Sequence, residues 1–260
     1  MIARWWQAWR RRADERVLSQ RAIPDPLWAL TLVRFPFLSK RSAADVQRLR
    51  ALSTLFLARK EFSCPGESPV TDAMAVAVAA QACLPVLNLG LDWYDSFVGI
   101  VIHPDAVQVR REHTDEVGVV HEYEDTLSGE AMEGGPLMLS WRDVADAGES
   151  AEWGYNVVIH EFAHVIDMRD GVADGIPPLA SRADRTHWAA VMDAEYTAFC
   201  AQVDADEATF LDPYGAEAPA EFFAVASEAF FVASEDFKAE HSALYALLAG
   251  FYRQDPAAAV

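Results

Sequence analysis

The chain has 260 residues, enough to bury a sizeable core as one large domain or two small ones. Hydrophobic residues make up 52% of it and charged residues 23%, a globular composition rather than a disordered one. The formal net charge of −19 argues against nucleic acid as a primary partner, because binding a polyanion relies on clustered Lys and Arg to displace counterions.

The basic residues concentrate at the N-terminus, in "MIARWWQAWRRRADER", which mixes Trp5, Trp6 and Trp9 with Arg10, Arg11 and Arg12. The segment lacks the long apolar centre and small-residue cleavage site of a signal peptide. We expect residues 1–18 to be a frayed basic and aromatic tail, with an interfacial or partner-docking helix as the alternative. Residues 20 to 90 read as helical. In "SAADVQRLRALSTLFLARKEF", Ser42 is placed to cap a helix whose inner face is Val46, Leu49, Leu52, Leu55 and Phe56. A helix over 74–84 follows. Its run "MAVAVAAQACLPVLNLGL" carries Gln81, Asn88 and Pro85, so it reads as a buried segment and not a bilayer span, which needs about 18 apolar residues. The three cysteines, Cys64, Cys83 and Cys200, are widely separated and include no C-x-x-C pair, a set that fits a reducing compartment and points to the cytoplasm.

Between about Val98 and Val144 the pattern changes to short β-branched or alternating runs, "FVGIVIHP", "AVQVRRE", "GVVHEYE" and "PLMLSW", separated by Gly, Pro and Asp. These read as a small sheet. The acidic stretch from Glu122 to Glu133, with Gly129 and Gly134, reads equally as a cleft border or an exposed hairpin. From Ser150 onward helices return. Strands grouped between helices predict an α+β fold: a single domain over 19–260, helical to about 95, with the sheet at about 98–144 and further helices over 150–253.

In the first of those later helices, "NVVIHEFAHVIDMRDG" sets two histidines four residues apart with a glutamate after the first. On an α-helix His160 and His164 project from one face about 6 Å apart along the axis, so both can reach one ion. Glu161 lies one residue round, where its carboxylate can take a proton from a water that the ion activates. With 7 His in the chain, chance matches to H-E-x-x-H number roughly 0.01, so a metal site is the better reading.

A third ligand is required, and spacing leaves three candidates. Asp170 stands six residues after His164, but that arrangement needs a chain reversal through glycine, and Asp167 stands where the glycine would be. The alternatives lie in "DPYGAEAPAEFFAVASEAFF" (Asp212–Phe231). Pro219 suits a first helical turn, and Glu221 follows it. Glu228, two turns on, could bind metal or orient a histidine. Phe222, Phe223, Val225, Ala226, Ala229 and Phe230 would bury most of the remaining surface.

Together these two stretches, with "ACLPVLNLGLDWYDSF", "GPLMLSW" and the C-terminal "FYRQDP", resemble the Mlc titration factor A family of bacterial zinc peptidases, whose catalytic domain is similar to that of anthrax lethal factor. The likeness covers most of the chain from about residue 40. It implies a zincin-like fold and a metallopeptidase of the gluzincin type with one Zn2+ per chain. The implied ligands are His160, His164 and Glu221, with Glu161 as catalytic carboxylate and Tyr214 as active-site tyrosine. Asp-Pro-Tyr-Gly is a loop signal, and a loop tyrosine over a metal could donate to the oxyanion of a tetrahedral intermediate. His103, His113, His187 and His241 lack ligand spacing and read as solvated or hydrogen-bonded, and "HEYED" at His121 imitates the motif for two residues only, with Asp125 in place of the second histidine on a segment that reads as strand.

The expected activity is hydrolysis of peptide bonds, and the resemblance also implies aminopeptidase-like cleavage of small substrates. We expect "PLMLSW" to form a sheet edge that pairs with an extended peptide. The resemblance supplies a rival from another class, a regulatory protein that sequesters an Mlc-like transcriptional repressor and so relieves repression of glucose-uptake genes.

Overall fold

The computed structural model describes residues 2–66, 69–105, 107–114, 120–127, 129–131 and 135–258; the side chains of 2–8, 107–127, 130 and 131 fall outside that description. The fold is α+β, mostly helical around a small sheet. The N-terminal segment is helical throughout, as α1 (Ile2–Gln20), and not a frayed tail. It contains no Gly or Pro, and the body supplies acidic partners. Arg10 lies 2.9 Å from Asp92 and 3.4 Å from Asp95, and Asp14 lies 2.9 Å from Arg59.

Next come α2 (Asp25–Arg34), α3 (Ala43–Arg59) and α4 (Asp72–Ala82). Ser42 caps α3 by accepting from the Asp45 amide at 3.1 Å, and Thr71 caps α4 by accepting from Met74 at 3.2 Å. The inner face of α3 is narrower than its apolar pattern predicts. Leu49, Phe56, Ser53 and Thr54 are buried, whereas Val46, Leu52 and Leu55 are only partly covered.

A strand missed by the sequence reading, β1 (Glu61–Ser63), leaves α3 and pairs in parallel with β2 (Gly99–His103). β2 pairs in parallel with β6 (Leu137–Ser140), and β6 pairs antiparallel with β5 (Gly129–Ala131), so the order is β1-β2-β6-β5. β3 (Val107–Thr114) and β4 (Val120–Leu127) form a separate antiparallel pair. The sheet ends at Ser140. Its hydroxyl accepts from the Asp143 amide and starts α5 (Trp141–Ser150) inside the span expected to be strand. "PLMLSW" is therefore not an edge: β6 has partners on both sides, and β5 is the terminal strand.

The chain then forms α6 (Val157–Asp167), α7 (Arg182–Asp204), α8 (Pro219–Val232), α9 (Ser234–Glu240) and α10 (Ser242–Tyr252). Ten of the eleven residues of α6 are buried, so the helix lies within the core and not on its surface. Phe162 anchors it against Phe56, Tyr94 and Phe97, with ring centroids 5.7, 4.8 and 5.9 Å away. Burying one such ring stabilises by about 2–3 kcal/mol. α8 is buried from Phe222 to Val232 and packs along α6. Two largely apolar helices side by side place their few polar groups against each other. Among the described residues, no helix is long and apolar enough to cross a membrane.

Candidate metal centre

α6 carries His160 and His164 on the face towards α8 and starts with an Asn156 cap, whose Oδ1 accepts from the Ile159 amide at 2.9 Å. The rings lie 4.8 Å apart by centroid, with Nε2 atoms 3.1 Å apart. Glu221, in the first turn of α8, brings Oε2 to 3.0 Å from His160 Nε2 and 3.2 Å from His164 Nε2. Among the described residues this is the one group of three His, Cys, Asp or Glu side chains whose ligand atoms converge. Asp170 lies apart from it, paired at 3.2 Å with Arg185 of α7.

The chemistry of the three atoms fits a cation. Glu228 Oε1 lies 2.7 Å from His160 Nδ1, and a carboxylate there can only accept, so Nδ1 carries the hydrogen and Nε2 of the neutral ring presents a lone pair. That lone pair faces a second imidazole nitrogen and a carboxylate oxygen. The three separations of 3.0 to 3.2 Å also approach the edge of a tetrahedron with metal–ligand distances near 2.05 Å, about 3.3 Å.

Burial opposes the charge on His160, but the Glu228 carboxylate, then Glu221, outweigh it and raise its pKa well above the ordinary imidazole range. Burial would push Glu221 up, but hydrogen bonds from His160 and His164 hold its carboxyl far below the usual range.

Glu161 is buried beside this group, and that burial raises its carboxyl above the ordinary value against the pull of both histidines. It is covered by the edge strand. An alanine β-carbon at Gly129 of β5 would lie 2.5 Å from Glu161 Oε1, so a glycine is what lets the strand lie against the carboxylate. Much of the acidic stretch around it, including the side chains of 122–127 and residues 128 and 132–134, lies outside the described residues, as do the His113 and His121 side chains.

Tyr214 sits in a short 3-10 turn, Pro213–Ala216, with its amide donating to Asp212 Oδ1 at 2.9 Å. Its ring centroid is 6.1 Å from that of His160, and the side chain is 45% exposed, on the open side of the histidine pair. Behind it, Tyr196 of α7 donates to the Ala216 carbonyl at 2.9 Å and pins the turn. Glu228 is 2% exposed and faces Nδ1 of His160, on the side of the ring away from Glu221. It therefore orients the histidine. Asn156 and Gly129 were missed as functional residues. The first had a readable signal, a capping residue before an apolar run, whereas a lone glycine in an acidic stretch has none.

His241 pairs with Glu195 at 3.0 Å, His187 is exposed, and neither approaches the centre.

Comparison with known proteins points to a metal-dependent family. The model of the glucose-regulated metallo-peptidase M90 family matches residues 6–253. An uncharacterised protein of Synechocystis sp. is 38% identical over 253 residues, covering 96% of this chain and 90% of its own. Proteins named Mlc titration factor A are 38% identical in Edwardsiella ictaluri, covering 85% of each chain, and 37% identical in Salmonella arizonae, covering 89% of this chain and 92% of that one. This chain belongs to the M90 family of metallopeptidases, together with the Mlc titration factor A proteins.

Proposed function

We propose that the chain is a zinc-dependent peptidase of the gluzincin type, with His160, His164 and Glu221 as metal ligands, Glu161 as general base and acid, and Tyr214 as oxyanion donor. The observation that carries this reading is the meeting of three lone-pair donors within 3.2 Å of one another beside a buried carboxylate. A bound zinc ion supplies Lewis-acid polarisation of the scissile carbonyl and acidifies the attacking water towards a pKa of about 7.

The protein does the rest. Glu161, whose carboxyl is raised above its ordinary value by burial, is the proton carrier: it takes the water's proton and later delivers it to the departing amine nitrogen. Glu228 keeps the His160 ring in one tautomer with Nε2 facing inward. Tyr214, on the open side, donates its phenolic hydrogen to the carbonyl oxygen as charge develops there. β5, the terminal strand of the sheet, replaces β6 as the edge on which an extended peptide pairs. Pairing there holds the substrate beside Glu161.

The relatives' name adds a regulatory reading, in which the chain binds an Mlc-like repressor. One set of variants separates the two. Metal content by elemental analysis, with hydrolysis of peptides and aminoacyl anilides on the same preparations, should give about one zinc per chain in wild type and in Glu161→Gln. Hydrolysis should fall roughly 10²–10⁴-fold in Glu161→Gln, and Glu221→Ala should lose its metal. A Glu221→Ala protein that keeps its zinc overturns the ligand set. Wild type that holds zinc, cleaves nothing and binds a repressor as well as Glu161→Gln does would make binding the main activity.

A further inference from the structure

The hydrogen bonds that aim His160 do not stop at Glu228. The second carboxylate oxygen, Glu228 Oε2, accepts from the backbone amide of Asn156, the residue that caps α6. The Asn156 side chain is in turn fixed from both ends: Oδ1 accepts from the Ile159 amide at 2.9 Å, and Nδ2 donates to Gln81 Oε1 at 2.8 Å. Gln81 lies on α4 and anchors itself by donating from Nε2 to the Ala77 carbonyl at 3.1 Å. Gln81 and Asn156 are fully buried, Glu228 is 2% exposed, and none of the bonds runs through solvent.

We propose that Gln81 is a positioning residue of the metal centre, acting through Asn156 and Glu228 to aim His160; this rests on the ligand set proposed above. Each link transmits geometry and not merely stability. An asparagine amide can turn over, and the side chain can cap α6 only while Oδ1 faces Ile159. Gln81, anchored by its own helix, presents an acceptor to the opposite end of the amide and excludes the flipped arrangement. With the cap fixed, the Asn156 backbone N–H points at Glu228 Oε2. That leaves Oε1 for His160 Nδ1, which in turn directs Nε2 towards His164 and Glu221. α4 thereby takes part in aiming a ligand set whose three members stand on α6 and α8. The relay is also complete: every polar atom named has its partner, the condition under which a buried polar network specifies one arrangement and not several.

Gln81→Met keeps the side chain's length and volume and removes both of its polar ends. Zinc affinity of the full-length chain, measured by competition with a chromophoric chelator, should weaken about 10-fold, the low end of the effect of losing a direct partner of a ligating histidine, because Gln81 acts two links further out. Thr54→Val is the stability control, because it deletes the hydrogen bonds of another buried side chain, to the Arg50 carbonyl at 2.9 Å and from the Ile23 amide at 3.4 Å, on α3 and with no relay residue as partner. It should lower the melting temperature of the metal-free chain and leave the zinc Kd within about threefold. Gln81→Glu, neutral at this buried position, retains the acceptor for Asn156 and should restore most of the affinity. If Gln81→Met binds zinc as wild type does, or if both deletions weaken binding equally per degree of melting temperature lost, Gln81 is only a packing residue. Should wild type itself bind zinc no better than His160→Ala, the proposed ligand set fails first, and that result is distinct from an unchanged Gln81→Met. If Gln81→Met does not fold, Gln81→Glu alone decides: a loss of zinc affinity with the acceptor intact overturns the proposal.

Discussion

The carboxylate of Asp167 ends α6 with one oxygen bonded and the other bare. Oδ2 accepts from the Gly175 amide at 2.8 Å, while Oδ1 is buried with no partner among the described residues. Burial pushes the group up to about 6, helped by Asp174 and opposed by the Gly175 hydrogen bond. An unfolded Asp titrates near 3.9, so the folded chain binds this proton more tightly than the unfolded one. Stability therefore falls as pH rises from about 4 to about 6, and above that window the ionised carboxylate costs roughly 2–3 kcal/mol. Asp167→Asn keeps an acceptor for Gly175 and cannot ionise. Its stability relative to wild type should rise across pH 4–6 and level off above, as read by urea unfolding of the metal-free chains. Parallel pH profiles for the two proteins would show that the bare oxygen is ionised at no cost. This residue was visible in the sequence only as the place where a glycine is missing after H-E-x-x-H. By contrast, His160, Glu161 and His164 were legible because helix geometry alone converts their spacing into a common face. Glu221 and Glu228, seven residues apart, share a face of their own helix, so spacing could not say which binds and which orients. The start of α8 brings Glu221 to both Nε2 atoms, whereas Glu228 meets His160 at Nδ1, and it is this difference that the proposed roles rest on.

How the start of α8 reaches α6 is a matter of how elements join, and Gly175 is the joint. Its amide bonds the end of α6 through Asp167, its carbonyl accepts from Trp188 of α7 at 2.9 Å, and its α-carbon lies against Pro219, the first residue of α8. The residue has φ +75°, and an added β-carbon would stand 2.5 Å from the Pro219 carbonyl oxygen, a backbone atom that cannot swing aside. Gly175→Ala should cost roughly 2–4 kcal/mol, from the left-handed backbone and the clash together. It should also weaken zinc binding, because Glu221 lies two residues beyond Pro219. Gly171→Ala is the comparison: φ is +92° there, but the space is open, so about 1 kcal/mol of stability and none of the metal affinity should be lost. Equal zinc affinities in the two variants would mean that α8 is placed by its apolar face alone. Such joints explain why the sheet was less readable than the helices. β1 is three residues long, too short for an alternation to register, and β5 reads as an acidic loop until Glu161 is seen beneath Gly129.

Taken whole, the molecule carries its negative charge on the body and its positive cluster on α1, and the contact between them has a predictable weakness. From Trp9 to Gln20 no side chain of α1 is fully buried; Asp14, Val17 and Leu18 are half covered. The named attachments are Arg10 to Asp92 and Asp95, and Asp14 to Arg59, all partly solvated. Exposed pairs of this kind contribute about 0–1 kcal/mol each, and screening shortens their reach from about 10 Å at 0.1 M salt to about 3 Å at 1 M. The core behaves differently. From Ile23 to Tyr252 its buried apolar residues form one cluster, and salt does not weaken burial of that kind. Raising NaCl from 0.05 to 0.5 M should therefore speed tryptic cleavage at Arg10, Arg11, Arg12, Arg16 and Arg21, leaving a stable fragment that begins near Ile23 and keeps the proposed metal ligands. Arg59→Ala should produce the same cleavage at low salt by removing the partner of Asp14. Cleavage rates that do not change with salt would mean that apolar contacts, those of the half-covered Val17 and Leu18 among them, and not the ion pairs, hold the helix, in which case Val17→Asp would loosen it more than Arg59→Ala does.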